Sequence, residues 1–461
     1  MLTGAFVVVF DVFVVNVAVP SLKADLNADL AETGMVIAVY ALSFGASLVV
    51  GGRLGDIFGR RRIFSLGMAS FAIASLLCGL APTPAFLIAA RVMQGFCAAL
   101  LFPQVYAILR VLHDEADRAR AFGLLGMTLG LAAIAGQLLG GLMIWSDILG
   151  FGWRIVFFIN LPIGIGAAAL ACAIPESRVP EPESLDLPGA LLAVIGLGML
   201  LIPLLEGPSL GWPTCTWTSI IATIPVCGLF FRREFHIKKW GAAPIVDFQI
   251  FGNRAFCLST CAVMLVYSTP TCFFLCFSFT LQTGLGLTPL EAGGMLTPMS
   301  IGFILASLSA PKLFSRFGSS AVTFGMGIYA IGFLWLGHST ASLDGGLKSI
   351  PYLLGMTAFG FGQGLSGPPL LNIAIGGIEK EYAGMASGII STVQQLGGAF
   401  GIALAGVVFA DVLSGAKEQA TAHQYAHALS DAMFCDFIIM LIASGLLILV
   451  TNISSSDKES D

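Results

Sequence analysis

The feature that most limits the possible folds is a series of long apolar segments that repeats along the chain. A helix needs about 20 apolar residues to cross the hydrocarbon core of a bilayer. Such segments lie near residues 2–20, 33–52, 62–81, 84–108, 119–144, 154–174, 187–206, 216–232, 255–281, 291–310, 319–338, 350–376, 384–411 and 431–451. Only 11% of the residues are charged, against roughly 25% in soluble domains. The sequence therefore predicts an all-α membrane protein with fourteen transmembrane helices.

Basic residues predict the orientation of these helices. With fourteen spans, 17 of the 22 Lys and Arg residues fall on the side of the loop at 51–62, four fall on the other side, and Arg91 lies inside a span. Lys and Arg concentrate in cytoplasmic loops. Both termini are therefore predicted to be cytoplasmic, in a multi-pass protein of the plasma membrane, which in a bacterium is the inner membrane.

The loop at 51–62 reads Gly-Gly-Arg-Leu-Gly-Asp-Ile-Phe-Gly-Arg-Arg-Arg and holds a single acid, Asp56. Its glycines permit a tight turn and a close approach of helices. Asp56 can accept hydrogen bonds from a helix N-terminus or from an Arg, which would make a breakable latch between two parts of the protein. Orientation by positive charge alone would explain the arginines, but it gives Asp56 no role.

Four further segments carry recognisable patterns. They are Asp11–Leu22, Arg91–Gly95 (the pattern R-x-x-Q-G), Trp153–Gly164 and Gly384–Ala403. Together with the 51–62 loop, in this order and at these spacings, they resemble the major facilitator superfamily of transporters, in particular its fourteen-helix drug:proton antiporter branch. The resemblance implies two six-helix bundles that rock about a central substrate cavity. It also implies a gate motif that holds the cytoplasmic side shut while the cavity faces outward, formed by Gly52, Leu54, Asp56, Gly59, Arg60 and Arg61.

Two polar connections divide the chain. They follow the sixth and eighth spans, at 177–187 and 235–254, and bracket two helices that look inserted between two halves. The major facilitator fold is accordingly expected to comprise an N-terminal six-helix bundle at 1–174, a linker region with two extra transmembrane helices at 175–254, a C-terminal six-helix bundle at 255–451 and a cytoplasmic tail at 452–461.

Polar residues inside the first and fourth spans are candidates for proton coupling. Asp11 lies about mid-depth, where an ionised carboxylate costs several kcal/mol unless it is paired or faces water. Burial favours its neutral form, so Asp11 can bind and release a proton; a structural hydrogen bond between helices is the alternative. Arg91 lies about 10 Å below the outer surface, with Gln94 one turn further on the same face. A salt bridge that only fixes helix packing is the alternative for Arg91, and Asn16 is assigned to the same proton and substrate site.

Three glutamines in later spans are further candidates for the substrate cavity. Gln137 stands where antiporters of this family usually have the Pro of a Gly-Pro pair, which weakens the case for export by proton exchange without removing it. Gln394 and Gln395 lie beside glycines, and an interhelical hydrogen bond is as plausible as substrate binding for all three glutamines. The small residues expected to bring helices together are Gly95, Gly136, Gly140 and Gly141.

Acids also occur near the outer end of the last predicted span, at Asp431 and Asp436. Solvation in a loop explains Asp431. Asp436 is the one of the two whose mutation would be informative.

The expected function is secondary transport that expels amphipathic or cationic small molecules, including drugs, in exchange for protons. Sequence patterns for ATP binding, a metal cluster or a nucleophile–base pair do not occur, which disfavours a primary pump or an enzyme. A transporter of a specific metabolite (an amino acid, a sugar derivative or a siderophore) with different coupling is the nearest alternative, and a non-transporting membrane sensor is another. The expected partners are a small-molecule substrate, protons and the lipid bilayer, with no nucleic acid, cofactor or metal, and the chain is expected to act as a monomer.

Overall fold

A computed structural model of the protein describes most of the chain. The described residues are 1–28, 30–147, 150–173, 175–178, 184–237, 242–244, 246–287, 294–341, 350–379, 382–409 and 422–459. Within these ranges the chain is almost wholly helical. The helices are α1 (Leu2–Leu26), α2 (Leu30–Phe58), α3 (Arg60–Gly79), α4 (Pro84–Leu112), α5 (Glu115–Trp145), α6 (Ile155–Phe158), α7 (Asn160–Ala171), α8 (Leu187–Leu210), α9 (Thr214–Ile237), α10 (Arg254–Phe279), α11 (Thr297–Phe317), α12 (Ser320–Ala341), α13 (Ile350–Gly376), α14 (Ala383–Val408) and α15 (Ala422–Glu459).

Most of these helices have the length and composition of membrane spans. Among the described residues, ten helical stretches are long and apolar enough to cross a bilayer, and two shorter apolar stretches lie at Leu2–Val15 and Pro188–Leu204. The all-helical character is therefore confirmed. The number fourteen is not established by these stretches and stays a prediction.

A small parallel pairing closes the segment that holds α8 and α9. Strand β1 (Ser184–Leu185) pairs with strand β2 (Ala242–Ala243), Ser184 opposite Ala242 and Leu185 opposite Ala243. These are the only strands in the ranges given above. The pairing brings the start of α8 close to the chain that leaves α9.

The first seven helices pack around one another. α2 and α3 lie against α4, α1 lies against α5, and α7 lies against α3. The approach of α2 to α4 is close, since a side chain at Gly51 would overlap the backbone carbonyl of Ala99. Large side chains such as Phe64, Phe71 and Tyr106 are fully enclosed. Van der Waals packing of this kind is what associates helices in lipid, where tails are as apolar as the side chains.

The last six helices form a second packed group. α10 lies against α14 and α15, and α13 lies against α11 and α12. An aromatic cluster fills its centre: the ring of Phe359 lies 4.5 Å from that of Phe273, 4.9 Å from that of Tyr329 and 4.8 Å from that of Phe333. Aromatic pairs at this distance contribute about 0.5–1.5 kcal/mol each beyond their burial.

The two groups meet along α2 and α14, and α5 packs against both α11 and α13. α8 lies against both α2 and α14 and so touches each group. A side chain at Gly52 would overlap the carbonyl oxygen of Gly384. Gly52 is therefore required for the two groups to approach at the end of α2.

The last helix differs from its predicted bounds. α15 begins at Ala422 and continues to Glu459, whereas 431–451 was predicted. Fourteen residues of helix therefore precede Asp436, and the expectation that this acid lies at the outer end of a span is wrong. Polar residues at both ends hid the true length, because hydropathy detects only the part of a helix that is apolar.

Candidate functional site

Asp11, in α1, lies at the centre of a buried polar cluster and is 0% exposed. It forms a salt bridge with Arg91 of α4. The side-chain amide of Gln94 donates to Asp11 Oδ1 at 3.0 Å, and that of Asn160 in α7 donates to the same oxygen at 3.1 Å. One carboxylate thus receives three donors from two other helices. Three of the predicted site residues are brought together here.

Arg91 is itself held on several sides. Its Nε donates to the backbone carbonyl of Val36 in α2 at 3.0 Å, and its Nη1 donates to Gln94 Oε1 at 2.7 Å. Its guanidinium carbon lies 4.1 Å from the ring centroid of Tyr40. A cation over a desolvated aromatic ring is stabilised by up to about 2 kcal/mol. The guanidinium therefore joins α1, α2 and α4 and can be released only at considerable cost while Asp11 is charged.

Ser75 and Asn160 complete this cluster, and the sequence did not single out either of them. Ser75 Oγ accepts from the Gln94 amide at 2.7 Å and from the Asn160 amide at 3.3 Å. Asn160 lies within the Trp153–Gly164 segment, and a buried carboxamide in so apolar a run was the available signal. Ser75 carried no signal, because single Ser residues are common in apolar helices.

Two predicted members of this site lie outside what can be described. The side chains of Asn16 and Gln137 are not among the described ones. The backbone beside Gln137 shows close packing, since a Cβ at Gly136 would lie 2.9 Å from the carbonyl oxygen of Phe10. α5 therefore approaches α1 within one helical turn of Asp11.

The glutamines of α14 lie apart from the Asp11 cluster. Gln394 is buried, and its Oε1 lies 3.5 Å from the hydroxyl of Tyr106 in α4. Gln395 packs its methylene carbons near Gly45 of α2, 3.2 Å from where a Cβ would be. Both residues therefore lie where α14 meets the first group of helices.

The predicted packing glycines differ in how closely they are approached. A side chain at Gly95 would overlap Ser43 Oγ and crowd the carbonyl of Tyr40, and one at Gly140 would lie 2.6 Å from a methyl group of Val14. At Gly141 the nearest atom would be 3.8 Å away, an ordinary contact. Gly95 and Gly140, but not Gly141, therefore stand at close helix contacts.

The acid of the 51–62 loop lies at the junction of the two helix groups. Asp56 is 0% exposed, at the C-terminal end of α2. It accepts from the backbone amides of Gly384 at 3.0 Å and Met385 at 2.7 Å, in the first turn of α14. It also pairs with Arg60 at 2.6 Å. The first turn of a helix has unpaired amides and partial positive charge. The carboxylate is therefore bound both by a helix N-terminus and by an Arg, the two kinds of partner that the sequence predicts for it.

The remaining gate residues shape the turn between α2 and α3. Gly59 has φ of 102°, a left-handed conformation that favours glycine. Arg61 lies 3.5 Å from Glu176 after α7, and its backbone amide donates to the same carboxylate at 3.1 Å. Leu54 is half-buried. The turn is thus fastened to the chain that leaves the first bundle.

A second contact of the same kind involves Arg110 at the end of α4. It donates to the backbone carbonyls of Ile375 at 3.3 Å, Gly376 at 2.7 Å and Ile378 at 3.1 Å. These carbonyls lie at the C-terminal end of α13, where helix carbonyls lack partners and favour a cation. In the sequence, Arg110 contributes only to the positive charge that predicts orientation. No sequence pattern indicates its partner.

The profile of the Major Facilitator Superfamily matches residues 1–402. The chain belongs to the Major Facilitator Superfamily. Its relatives include the probable actinorhodin transporter of Streptomyces coelicolor, 34% identical over 411 residues that cover 89% of this chain and 71% of the relative. The cephamycin export protein CmcT of Amycolatopsis lactamdurans is 33% identical over 91% of this chain and 86% of its own. Multidrug resistance protein Stp of Mycobacterium tuberculosis is 30% identical over 90% of this chain and 76% of its own.

Solved structures show the same superfamily fold. The proton:xylose symporter XylE matches with a TM-score of 0.65 at 15% sequence identity, over 95% of this chain and 93% of its own. The human organic anion transporter MFSD10 matches with a TM-score of 0.59 over 95% of this chain and 98% of its own. At these identities the likeness concerns the fold alone. The predicted major facilitator fold is confirmed.

Proposed function

We propose that this Major Facilitator Superfamily protein exports amphipathic or cationic small molecules, drugs among them, in exchange for protons. Three relatives that match about nine-tenths of the chain are named for actinorhodin transport, cephamycin export and multidrug resistance. Shared family membership over that length supports an export function. It does not identify the substrate.

The observation that carries proton coupling is the buried ion pair of Asp11 and Arg91. An ion pair without solvent is stable only while both partners are charged and hydrogen-bonded. Protonation of Asp11 would cancel the attraction and leave the Arg91 charge held only by neutral groups such as the carbonyl of Val36. Because these residues join α1, α2 and α4, proton binding would be converted into movement of helices within the first bundle.

Alternating access is supported by the contacts at Asp56 and Arg110. Both residues come from the first helix group and bind backbone groups at helix ends in the second. Both lie at the arginine-rich face that the 17-to-4 bias makes cytoplasmic. The conformation is therefore closed on the cytoplasmic side, and export requires these hydrogen bonds to break once per cycle.

The proposed topology has fourteen transmembrane helices with both termini cytoplasmic, in the bacterial plasma membrane. Described helices overlap all fourteen predicted spans, with α6 and α7 counted as one. The proposed division remains a bundle at 1–174, a linker region at 175–254, a bundle at 255–451 and a tail at 452–461. A single chain then holds the whole transport path, which favours a monomer.

Everted membrane vesicles test this function, because their cytoplasmic side faces the medium. Vesicles with the wild-type chain should accumulate ethidium when their interior is acidic and release it when nigericin collapses the pH gradient. Vesicles with the Asp11→Asn chain at equal abundance are the matched control. Equal ethidium uptake with and without the pH gradient would exclude proton exchange, and uptake no greater than in empty-vector vesicles would favour a transporter of a specific metabolite.

A further inference from the structure

Asp436 is a second fully buried carboxylate, in the C-terminal half of the protein. It lies inside α15 and is 0% exposed. Neither of its carboxylate oxygens has a hydrogen bond of ordinary geometry. Among the described residues no salt bridge includes it, in contrast to Asp11, which pairs with Arg91.

The surroundings of Asp436 are apolar or only weakly polar. The thiol of Cys272 in α10 is its polar neighbour, and a thiol is a weak hydrogen-bond donor. The hydroxyl of Tyr329 in α12, which also faces it, is within 3.2 Å of Thr269 Oγ1. The titratable groups that interact with Asp436 are Cys272, Tyr329 and Cys435, and the histidines of α12 and α15 (His338, His423 and His427) are exposed. None of the three interacting groups is a cation.

The position of Asp436 corresponds to that of the Asp11 cluster in the other bundle. α7, which supplies Asn160, packs against α1 and α3, and α15 packs in the same way against α10 and α12. Each bundle therefore buries one carboxylate among its first, third and sixth helices. In the first bundle the guanidinium of Arg91 and two side-chain amides donate hydrogen bonds to the carboxylate. In the second bundle no described guanidinium or amide donates to Asp436.

An ionised carboxylate left without partners in such a place costs several kcal/mol, so the group takes up a proton instead. We propose that Asp436 is a second proton-binding site of the transport cycle, located in the C-terminal bundle and occupied in the conformation closed to the cytoplasm. This rests on the proton exchange proposed above. Asp436 gains a proton from the outer side as carboxylate becomes carboxylic acid, and loses the same proton to the cytoplasm after the bundles rock.

Two measurements test this proposal on the purified full chain in lipid. Infrared spectroscopy detects the C=O stretch of a protonated carboxylic acid, which is distinct from that of a carboxylate. Proteoliposomes containing a pH-sensitive dye report how many protons move per ethidium transported. Asp436→Asn keeps the shape of the side chain but cannot titrate, and Asp431→Asn is the matched control, because Asp431 is an exposed acid on the same helix.

The expected result is a C=O band that is present in the wild-type and Asp431→Asn chains and absent in Asp436→Asn. The number of protons per ethidium should fall in Asp436→Asn alone. A band of wild-type intensity in Asp436→Asn would show that Asp436 does not contribute to it and is ionised in the wild type, which would overturn the proposal. So would an unchanged proton-to-ethidium ratio in that variant, since Asp436 would then be a static neutral acid. If the protein does not exchange protons at all, ethidium flux will be independent of pH already in the wild-type chain. That result would contradict the proposed function, and the coupling role of Asp436 as well.

Discussion

Asp56 accepts a 2.7 Å hydrogen bond from the backbone amide of Met385, a residue 329 positions further along the chain. The acid stands at the last turn of α2 and the amide at the first turn of α14. The contact therefore joins the two helix groups through a side chain on one and the main chain of the other. This hydrogen bond depends on the charge of Asp56 and on the close approach of the ends of α2 and α14. A substitution can alter either one without the other.

Replacing the charge should slow transport without unfolding the protein. Asp56→Asn removes the ion pair with Arg60 and one strong acceptor for the helix amides, and a hydrogen bond to a charged group is worth about 1.5–3 kcal/mol. We expect ethidium export to fall by roughly tenfold or more at equal protein in the membrane. Asp117→Asn is the control, because Asp117 is an exposed acid paired at 3.5 Å with Arg120. Normal export by Asp56→Asn would remove the latch from the mechanism.

The approach of the helix ends can be altered at Gly384. A Cβ there would overlap the Asp56 carboxylate, whereas one at Gly166 would meet nothing within 4 Å. Gly384→Ala should therefore open the cytoplasmic side, and Gly166→Ala should not. Labelling of a cysteine at the buried position of Ser387, in an otherwise cysteine-free chain, reports this opening from the cytoplasmic side. The effects of Gly384→Ala and Asp56→Asn should be less than additive, because both act on one contact; fully additive effects would mean that they act independently.

Arg110 provides a second test of the proposed closure on the cytoplasmic side. Arg110→Lys replaces a planar fork of donors by one compact ammonium group, so the variant should lose part of the contact with the carbonyls of Ile375, Gly376 and Ile378. Labelling at position 387 should rise in Arg110→Lys and rise further in Arg110→Ala. Equal labelling in both variants and the wild type would show that the carbonyls do not need this cation.

These residues show which features of the fold and the site can be predicted from the sequence. The helices and their order were predictable, because the bilayer demands about 20 apolar residues per span. Asp11 and Arg91 were found because ionised groups are costly inside a span, and Asp56 because it is the single acid of a basic loop. Their partners were not fully predictable, because contacts such as Asp56 with Met385 join backbone groups, which every residue has. The sequence predicts Asp436 at a helix end because the polar first turns of α15 have the hydropathy of a loop.

The ion pair of Asp25 and Arg154 lies beyond the apolar part of α1 and gives a prediction about pH. Hydrogen bonds from Arg154 at 2.5 Å and from Trp153 at 3.0 Å hold the pKa of the Asp25 carboxyl below its usual range. A lowered pKa stabilises the fold above the unfolded value of about 4, and this stability is lost as pH falls through the folded value. Because Asp25 is 47% exposed, the contribution is no more than about 1 kcal/mol. Asp25→Asn should lower the melting temperature slightly at neutral pH, and the difference should shrink as the pH is lowered below about 4; a difference that does not change with pH would contradict an ionic origin.

The central claim is that the buried pair of Asp11 and Arg91 couples protons to transport, and one comparison tests it most directly. Ethidium flux is measured in proteoliposomes, with and without an opposing pH gradient, for wild type, Asp11→Asn, Arg91→Ala and the double variant. Asp11→Asn should lose pH-driven uphill transport and keep some downhill exchange, because it retains shape and hydrogen bonding but cannot hold a proton. Arg91→Ala should move the pH optimum upward, because loss of the cation favours protonated Asp11. Undiminished uphill transport by Asp11→Asn would contradict the claim, and the pair would then be a structural contact between α1 and α4.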